Sequence, residues 1–532
     1  MADLRQLATP PASVNSTGNP YDELPYDSHP YIQTHPARVA AVATLFGLNP
    51  PPVQKCRVLE LGCASGGNLI PLAEAYPGGY FVGVDYSARQ IADGVRVVQA
   101  SGLKNVSLRH ANILDIDASY GPFDYIICHG VFSWVPDAVR EKILAICAEH
   151  LSPTGIAYIS YNTYPGWHMR GMIRDMMRFH ALRFGTAAQR VHQARALLDF
   201  LAESARNDSG PYGTLLRAEL DDISGQTDAY LYHEHLEEVN TPMYFYQFAE
   251  LALKHNLRYL GEARLTTMVS GNFSPDVRRA LGIVATDQIQ AEQYLDFVRN
   301  RTFRETLLVR TSSALDWAIQ PDAVRALHVT TSRRQAEDAG DVRATTPVQY
   351  NTVTGMSLST SSPVMKATMR LLTQRWPGTV PFPELDRAAH EMIGVPSDGG
   401  KTLAVALLNT YLASDLLELR AAPIPAIPVR EWPVALVAAR ARLSIGDVVV
   451  ANSRHGHIRP NDLDRHLIPL LDGSRDRNSL LNALTELALA DQISVQKTGH
   501  RLTDPVAIRE TLSIVLTQAL DGLAASSMLR DR

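Results

Sequence analysis

Cysteine is scarce in this chain. Only four occur among 532 residues, Cys56, Cys63, Cys128 and Cys147, all in the first third. No two form a C-x-x-C pair, so neither a disulfide framework nor a cysteine zinc site is expected, and the thiols suit a reduced cytosol. Long apolar runs are also missing. No stretch approaches the roughly 20 residues that span a bilayer. The N-terminal MADLRQLATPPASVNSTGNPY has no apolar core of a secretory signal. A cytoplasmic protein without membrane insertion is therefore expected. Positive charge is not in excess: 50 Lys and Arg face 55 Asp and Glu, a net charge of -5. That argues against nucleic-acid binding through a broad basic surface. No internal repeat is found. The length exceeds what one core supports, so three or four domains are expected.

What is present is alternation. Residues 1–20 are rich in Pro, Ser and Asn and read as loosely ordered. Pro36 then starts a helix over 37–46. From Lys55 the pattern predicts strands at 57–61, 80–85, 106–110, 123–129 and 155–161. Helices are predicted between them at 68–76, 87–101 and 136–150, with Ser87 as an N-cap and Pro136 at N1. Such alternation makes an α/β fold with a mostly parallel sheet and helices on both faces. Ligands of such sheets sit at the carboxyl ends of the strands.

From Arg170 helical periodicity takes over. Met172, Ile173, Met176, Met177 and His180 form a stripe that reads as core or as a subunit contact, making a homodimer one possibility. A second helix is predicted from 189 to about 205. Residues 214–330 read as mixed, with a strand at 265–269. Residues 332–363 are polar and read as a hairpin or a linker. Helices are predicted beyond, at 364–374, 402–414 and 478–490. The expected units are 21–170, 171–213, 214–330 and 331–532.

The chemistry gathers around VLELGCASGGN, residues 58–68. A short apolar strand carrying Glu60 runs into a small-residue turn, where backbone can approach a ligand closely. A dinucleotide site would show G-x-G-x-x-G. Here the spacing is Gly62-x-x-x-Gly66-Gly67, with Ala64 between. By itself the turn allows a nucleotide or a methyl donor.

The pattern E-L-G-C-A-S-G-G-N resembles the first motif of class I S-adenosylmethionine-dependent methyltransferases. The resemblance implies that Glu60 supplies negative charge near the donor's ammonium. It also implies that Gly62, Ala64, Gly66 and Asn68 cradle its methionyl part. Asp85, closing the second strand, has the carboxylate that a ribose needs, and Tyr86 beside it can pack on adenine. In HANILDI, the Asn112 amide can read an adenine edge and Ile113 can cover its face. FDYIICHGVFSWV brings His129, Gly130, Val131 and Trp134 to the fourth strand's exit. Tyr26, in the N-terminal aromatic run with Tyr21 and Tyr31, is assigned to the same cofactor set.

The acceptor side is read from aromatics and titratable groups. YNTYPGW carries Tyr161 and Trp167, and aromatic walls suit an alkylammonium stem. A lysine acceptor must also lose a proton. Tyr161, Trp167, His35 and His129 are the candidates for substrate positioning, with His168 behind them. The pairs HEH (233–235) and HGH (455–457) are poor metal sites, lacking a third ligand nearby in sequence, so no metal is expected.

Over 20–310 the run YDELPYDSHPYIQTHPARVA, LELGCASGGNLIPLA, ANILDI, HGVFSWVPD and YISYNTYPGW is similar to bacterial protein-lysine methyltransferases of the rickettsial type. Those enzymes modify outer-membrane surface proteins. They combine a class I domain, a helical dimerisation part, a methyltransferase regulatory domain and a C-terminal domain. YLYHEHLEEVNTPMYFYQFAELALKHNLRYLGEA resembles the start of the regulatory domain, and NRTFRETLLVR its end. The resemblance implies a protein or peptide acceptor, most readily a lysine ε-amine. Three other readings stay open: an N- or O-methyltransferase of a small molecule or peptide natural product, a non-catalytic donor-binding scaffold, and an NAD dehydrogenase.

Overall fold

A computed structural model describes residues 28–335, 340–352, 354–497 and 499–532. Tyr21, Tyr26 and the segment 1–20 lie outside the described residues.

The centre is a seven-stranded sheet: β1 (Arg57–Leu61), β2 (Tyr80–Asp85), β3 (Val106–His110), β4 (Phe123–Cys128), β5 (Leu151–Asn162), β6 (Leu257–Glu262) and β7 (Phe303–Arg310). Their order is β3-β2-β1-β4-β5-β7-β6. The first five run parallel, and β7 runs antiparallel to both β5 and β6. In β1 only Arg57 is exposed, and the next four residues are buried. That is how a strand covered on both faces reads.

Helices α1 (Pro36–Leu45), α2 (Leu69–Ala75), α3 (Ala88–Ser101) and α4 (Asp137–His150) flank the sheet. Ser87 caps α3, its hydroxyl accepting the Gln90 N–H, and Gly102 ends the helix at φ +71°. Pro136 sits one position earlier than expected, as the N-cap of α4.

Two expectations need correction. The strand expected at 265–269 is a 3-10 turn, Leu265–Thr267; the strand lies just before it, at β6. Leu265 is the one residue of that turn that is buried, so it anchors a turn without forming a ladder. The boundary expected at 170 also cuts through the sheet, because β6 and β7 come from 257–310. Arg304 fixes this late addition. It is fully buried on β7 and meets Glu262 of β6 at 2.7 Å, Asp296 at 2.8 Å and Glu292 at 3.2 Å. A buried guanidinium survives only when paired in this way.

Helices α5 (Trp167–Ala181), α6 (Ala187–Ser204) and α7 (Pro211–Ser224) form a separate helical unit with its own core around Ile173, Met177, Val191 and Leu216. Strands Val348–Asn351 and Ser357–Thr360 pair antiparallel, so the polar segment is strand-bearing. A three-stranded sheet with helices from Pro363 to Ala413 shares the core of α1. The last unit packs four helices between Val437 and Ala525 with two short hairpins, around a core of its own.

This last unit grips the glycine turn. Arg442 donates to the Ser65 carbonyl at 2.8 Å, and His455 meets Asn68 Oδ1 at 2.7 Å. Glu74 accepts the Val437 and Ala438 N–H groups, where a carboxylate suits a helix N-terminus.

Candidate active site

At the end of β1 the chain turns sharply, with φ of +76° at Gly62, +48° at Ala64 and +73° at Gly66. A Cβ on Gly62 would lie 2.4 Å from Val131 Cγ2, and one on Gly67 would lie 2.3 Å from the Ser28 carbonyl oxygen. Neither position tolerates a side chain. Ala64 is held in its left-handed conformation by its N–H, which donates to Asp85 Oδ2 at 2.8 Å. Asp85 Oδ1 accepts the Ser87 N–H at the same distance. The turn is thereby tied to the carboxyl end of β2.

The N-terminal segment straps the turn from above. Ser28 Oγ accepts the Gly67 N–H at 2.7 Å, and Asn68 Oδ1 accepts the Tyr31 N–H at 2.9 Å. The Asn68 amide donates to Glu60 Oε1 at 2.7 Å. Glu60 Oε2 is buried and has no hydrogen-bond partner among the described residues. Burial pushes the Glu60 carboxyl up to about 8; the Asn68 hydrogen bond opposes this and Asp85 adds to it.

The turn opens into a cavity of about 640 Å³, within the range that holds a cofactor. Glu60, Gly62, Ala64, Asn68, Asp85 and Tyr86 line it on the β1–β2 side. Asn112, Ile113, His129, Gly130, Val131 and Trp134 line it on the β3–β4 side. Gly66 does not border it; the space a Cβ there would enter is bounded by Ile70 and Leu108. Asn112 Oδ1 accepts the Leu114 N–H at 3.0 Å. The Gly130 N–H donates to Ser160 Oγ at 2.8 Å.

Three of the substrate-positioning candidates lie elsewhere. Tyr161 is buried, stacked on Phe248 at 4.1 Å with its hydroxyl 3.3 Å from Thr306 Oγ1. Side chains alternate along β5, and this one faces the core. Trp167 is buried behind Trp134, edge-on at 6.1 Å, and reaches the cavity only through it. His35 caps α1, its Nδ1 accepting the Ala37 N–H, and its ring lies 2.8 Å from Arg420. His168 stacks on Tyr164 and meets the Tyr244 hydroxyl, away from the lining. His129 does border the cavity, with Nδ1 2.9 Å from the Tyr158 hydroxyl. Burial, and then Arg264, lower its imidazole to about 3, so it stays neutral and is a weak base.

Sequence reading missed Ser28, His29, Val139, Phe303 and, above all, His233 and Glu234. The HEH triplet was weighed only as a metal site. The usable signal was a polar triplet set between the buried Leu231 and Leu236.

The site fits the methyl donor's amino-acid end. The unpaired Glu60 oxygen matches an ammonium, the glycine cradle admits close backbone approach, and Asp85 presents a carboxylate on the same cavity.

Family models match three segments: a methyltransferase domain over 58–155, a predicted methyltransferase regulatory domain over 227–310, and the PKMT C-terminal winged helix domain over 431–528. An uncharacterized protein of Rickettsia prowazekii is 36% identical over 97% of this chain and 95% of its own length. The solved structure of PKMT2 from Rickettsia typhi covers 95% of this chain and 100% of its own, at 30% identity and a TM-score of 0.85. The same protein in complex with AdoHcy matches at 31% identity and a TM-score of 0.83, with the same coverage. Over nearly all of its length, this chain belongs to the protein lysine methyltransferase (PKMT) family of class I, S-adenosylmethionine-dependent methyltransferases.

Proposed function

We propose that the chain methylates the ε-amine of lysine in a protein acceptor. The observation that carries this reading is the acidic lining of the cavity, whose groups ionise fully once a cation lies against them. Three acidic side chains, Glu60, Asp85 and Glu234, line it, and among the described residues no Lys or Arg does. A cationic donor and a cationic acceptor side chain both suit such a lining.

When bound, S-adenosylmethionine supplies an electrophilic methyl on a positively charged sulfur. Glu60 would hold its ammonium through the unpaired oxygen, and Asp85 would receive its ribose hydroxyls. Asn112 spends its carbonyl oxygen on Leu114, which leaves its amide hydrogens for the adenine edge. The neutral His129 adds no positive charge to the cavity. Tyr31, Trp134 and Phe303 supply apolar walls that exclude water and can carry a lysine stem. Alignment and desolvation of the amine are the main tasks left to the protein.

Among the described residues no helix is long and apolar enough to cross a membrane. We place the enzyme in the cytoplasm. We also read the outer faces of α5 and α6 as a homodimer contact, from Phe179, which is 72% exposed, Leu182 and Phe200. The acceptor class is tested by incubating cell lysate with the enzyme and radiolabelled S-adenosylmethionine. Label in protein, stable to mild base, is expected. Label confined to the small-molecule extract would favour a small-molecule acceptor instead.

A further inference from the structure

The segment YLYHEHLEE folds in an unusual way. Tyr232–Leu236 forms a π-helical turn. Such turns insert an extra residue, change which side chains share a face, and recur at functional sites. Here Leu236 and His235 are buried inward, while His233 and Glu234 border the donor cavity. The turn is firmly held. Arg178 of α5 donates to the Leu236 carbonyl at 2.7 Å and also to that of Glu237, and Arg174 donates to the Glu237 carbonyl. His233 Nδ1 lies 2.9 Å from Glu237 Oε1.

Glu234 differs from the other two carboxylates of the cavity. Glu60 already accepts a bond from Asn68, and Asp85 accepts two from backbone. The Glu234 carboxylate accepts no hydrogen bond from the described residues. The cation that acts on it most strongly, Arg170 of α5, is paired with Glu219 and Asp222 of α7. Glu60 and Asp85 belong to the strand ends that hold the donor. Glu234 comes from a different part of the chain and lines the same cavity as the aromatics Phe303 and Trp134.

We propose that Glu234 receives the acceptor's ammonium in this cavity and takes its proton before methyl transfer. This role rests on the lysine reading above. The Glu234 carboxylate accepts one proton from the lysine ammonium, giving a neutral amine and a neutral carboxylic acid. The amine's lone pair then forms the N–C bond, and the electrons of the breaking S–C bond stay on sulfur as a neutral thioether. The new methylammonium carries the positive charge, and the proton on Glu234 leaves to water.

The electrostatics suit the task. Burial raises the Glu234 carboxyl to about 7, with Arg170 and then His233 opposing the rise. The groups that act on it are Arg170 from α5 and His233 and Tyr230 from its own segment, and the other titratable groups lining the cavity are Glu60, Asp85, His29 and His129. An acid poised near neutrality can both take a proton and release it.

The test uses full-length Glu234→Gln and Glu234→Asp with a peptide bearing the lysine that the wild type methylates, and the same peptide with norleucine. Wild type should show a bell-shaped kcat/KM profile, rising near pH 7 and falling near the lysine value of about 10. Glu234→Gln should keep AdoHcy affinity within about twofold yet lose on the order of 100-fold in kcat/KM at pH 7, with its optimum moved to alkaline pH. With AdoHcy present, calorimetry should show that wild type prefers lysine over norleucine, that Glu234→Gln does not, and that Glu234→Asp partly does. A Glu234→Gln enzyme with the wild-type profile and the wild-type preference overturns the role of Glu234 and leaves the lysine reading standing. Equal loss of AdoHcy binding and turnover also overturns it, making Glu234 structural. Wild-type methylation of a hydroxyl or carboxylate in place of an amine, or of no protein at all, overturns the lysine reading and this role with it.

Discussion

Donor binding should expel a proton from Glu60, and the amount follows from the structure. Without ligand, burial holds the Glu60 carboxyl near 8, so at pH 7 it is about 0.9 protonated. An ammonium in contact lowers a carboxylate by roughly 1 to 3 units. The bound value therefore falls to about 5 to 7, and binding at pH 7 releases between ~0.4 and ~0.9 proton. Affinity should rise with pH below about 8, by roughly tenfold per unit where only the free form is protonated. The assay is calorimetry of AdoHcy binding at pH 7 in buffers of different ionisation enthalpy. The apparent heat should depend on the buffer for wild type and lose that dependence in Glu60→Gln. Equal proton release in both proteins, or none in wild type, would refute the assignment of Glu60 to the ammonium.

The same residue predicts a trade between stability and binding. A carboxyl raised from 4.5 to about 8 on folding binds its proton more tightly in the native state, so stability falls as pH rises between those values. Glu60→Gln should raise the melting temperature of ligand-free protein at pH 8 while weakening AdoHcy binding; a lower melting temperature would contradict this. Gly67→Ala should displace Ser28 and the N-terminal strap, because its Cβ would meet backbone. AdoHcy affinity should fall at least tenfold with the fold kept by circular dichroism. His455→Ala should weaken AdoHcy binding without touching the cavity, because it leaves a buried Asn68 oxygen with one fewer donor, at about 1 kcal/mol. Unchanged affinity would make the C-terminal unit irrelevant to the donor. Arg304→Ala strands three buried acids and should cost about 3 to 5 kcal/mol in denaturant unfolding.

The cavity lining at the ends of β1 to β4 was legible because it is local. One strand, one glycine turn and the ends of the next three strands lie in a single βα run, and period and turn chemistry expose each of them. The rest depends on distant partners. Strands β6 and β7 complete the sheet from about a hundred residues downstream, beyond the point near 170 where the β/α alternation ends. Tyr161 and Trp167 looked like acceptor walls because aromatics near a strand exit suit that role. The pleat turns Tyr161 towards Phe248, and Trp134 stands between Trp167 and the cavity. His35 looked like an acid–base group, but it caps a helix against Arg420, 385 positions away. Glu234 was hidden because a π-helical turn, which no hydrophobic period announces, sets which of its neighbours face inward.

The central claim is methylation of lysine in a protein. Peptide mapping by mass spectrometry of cell proteins incubated with the enzyme and S-adenosylmethionine tests it most directly. The account predicts methyl groups on lysine side chains, absent when Asp85→Ala replaces the wild type. Methyl groups on other residue types alone, or lysine methylation undiminished in Asp85→Ala, would contradict it.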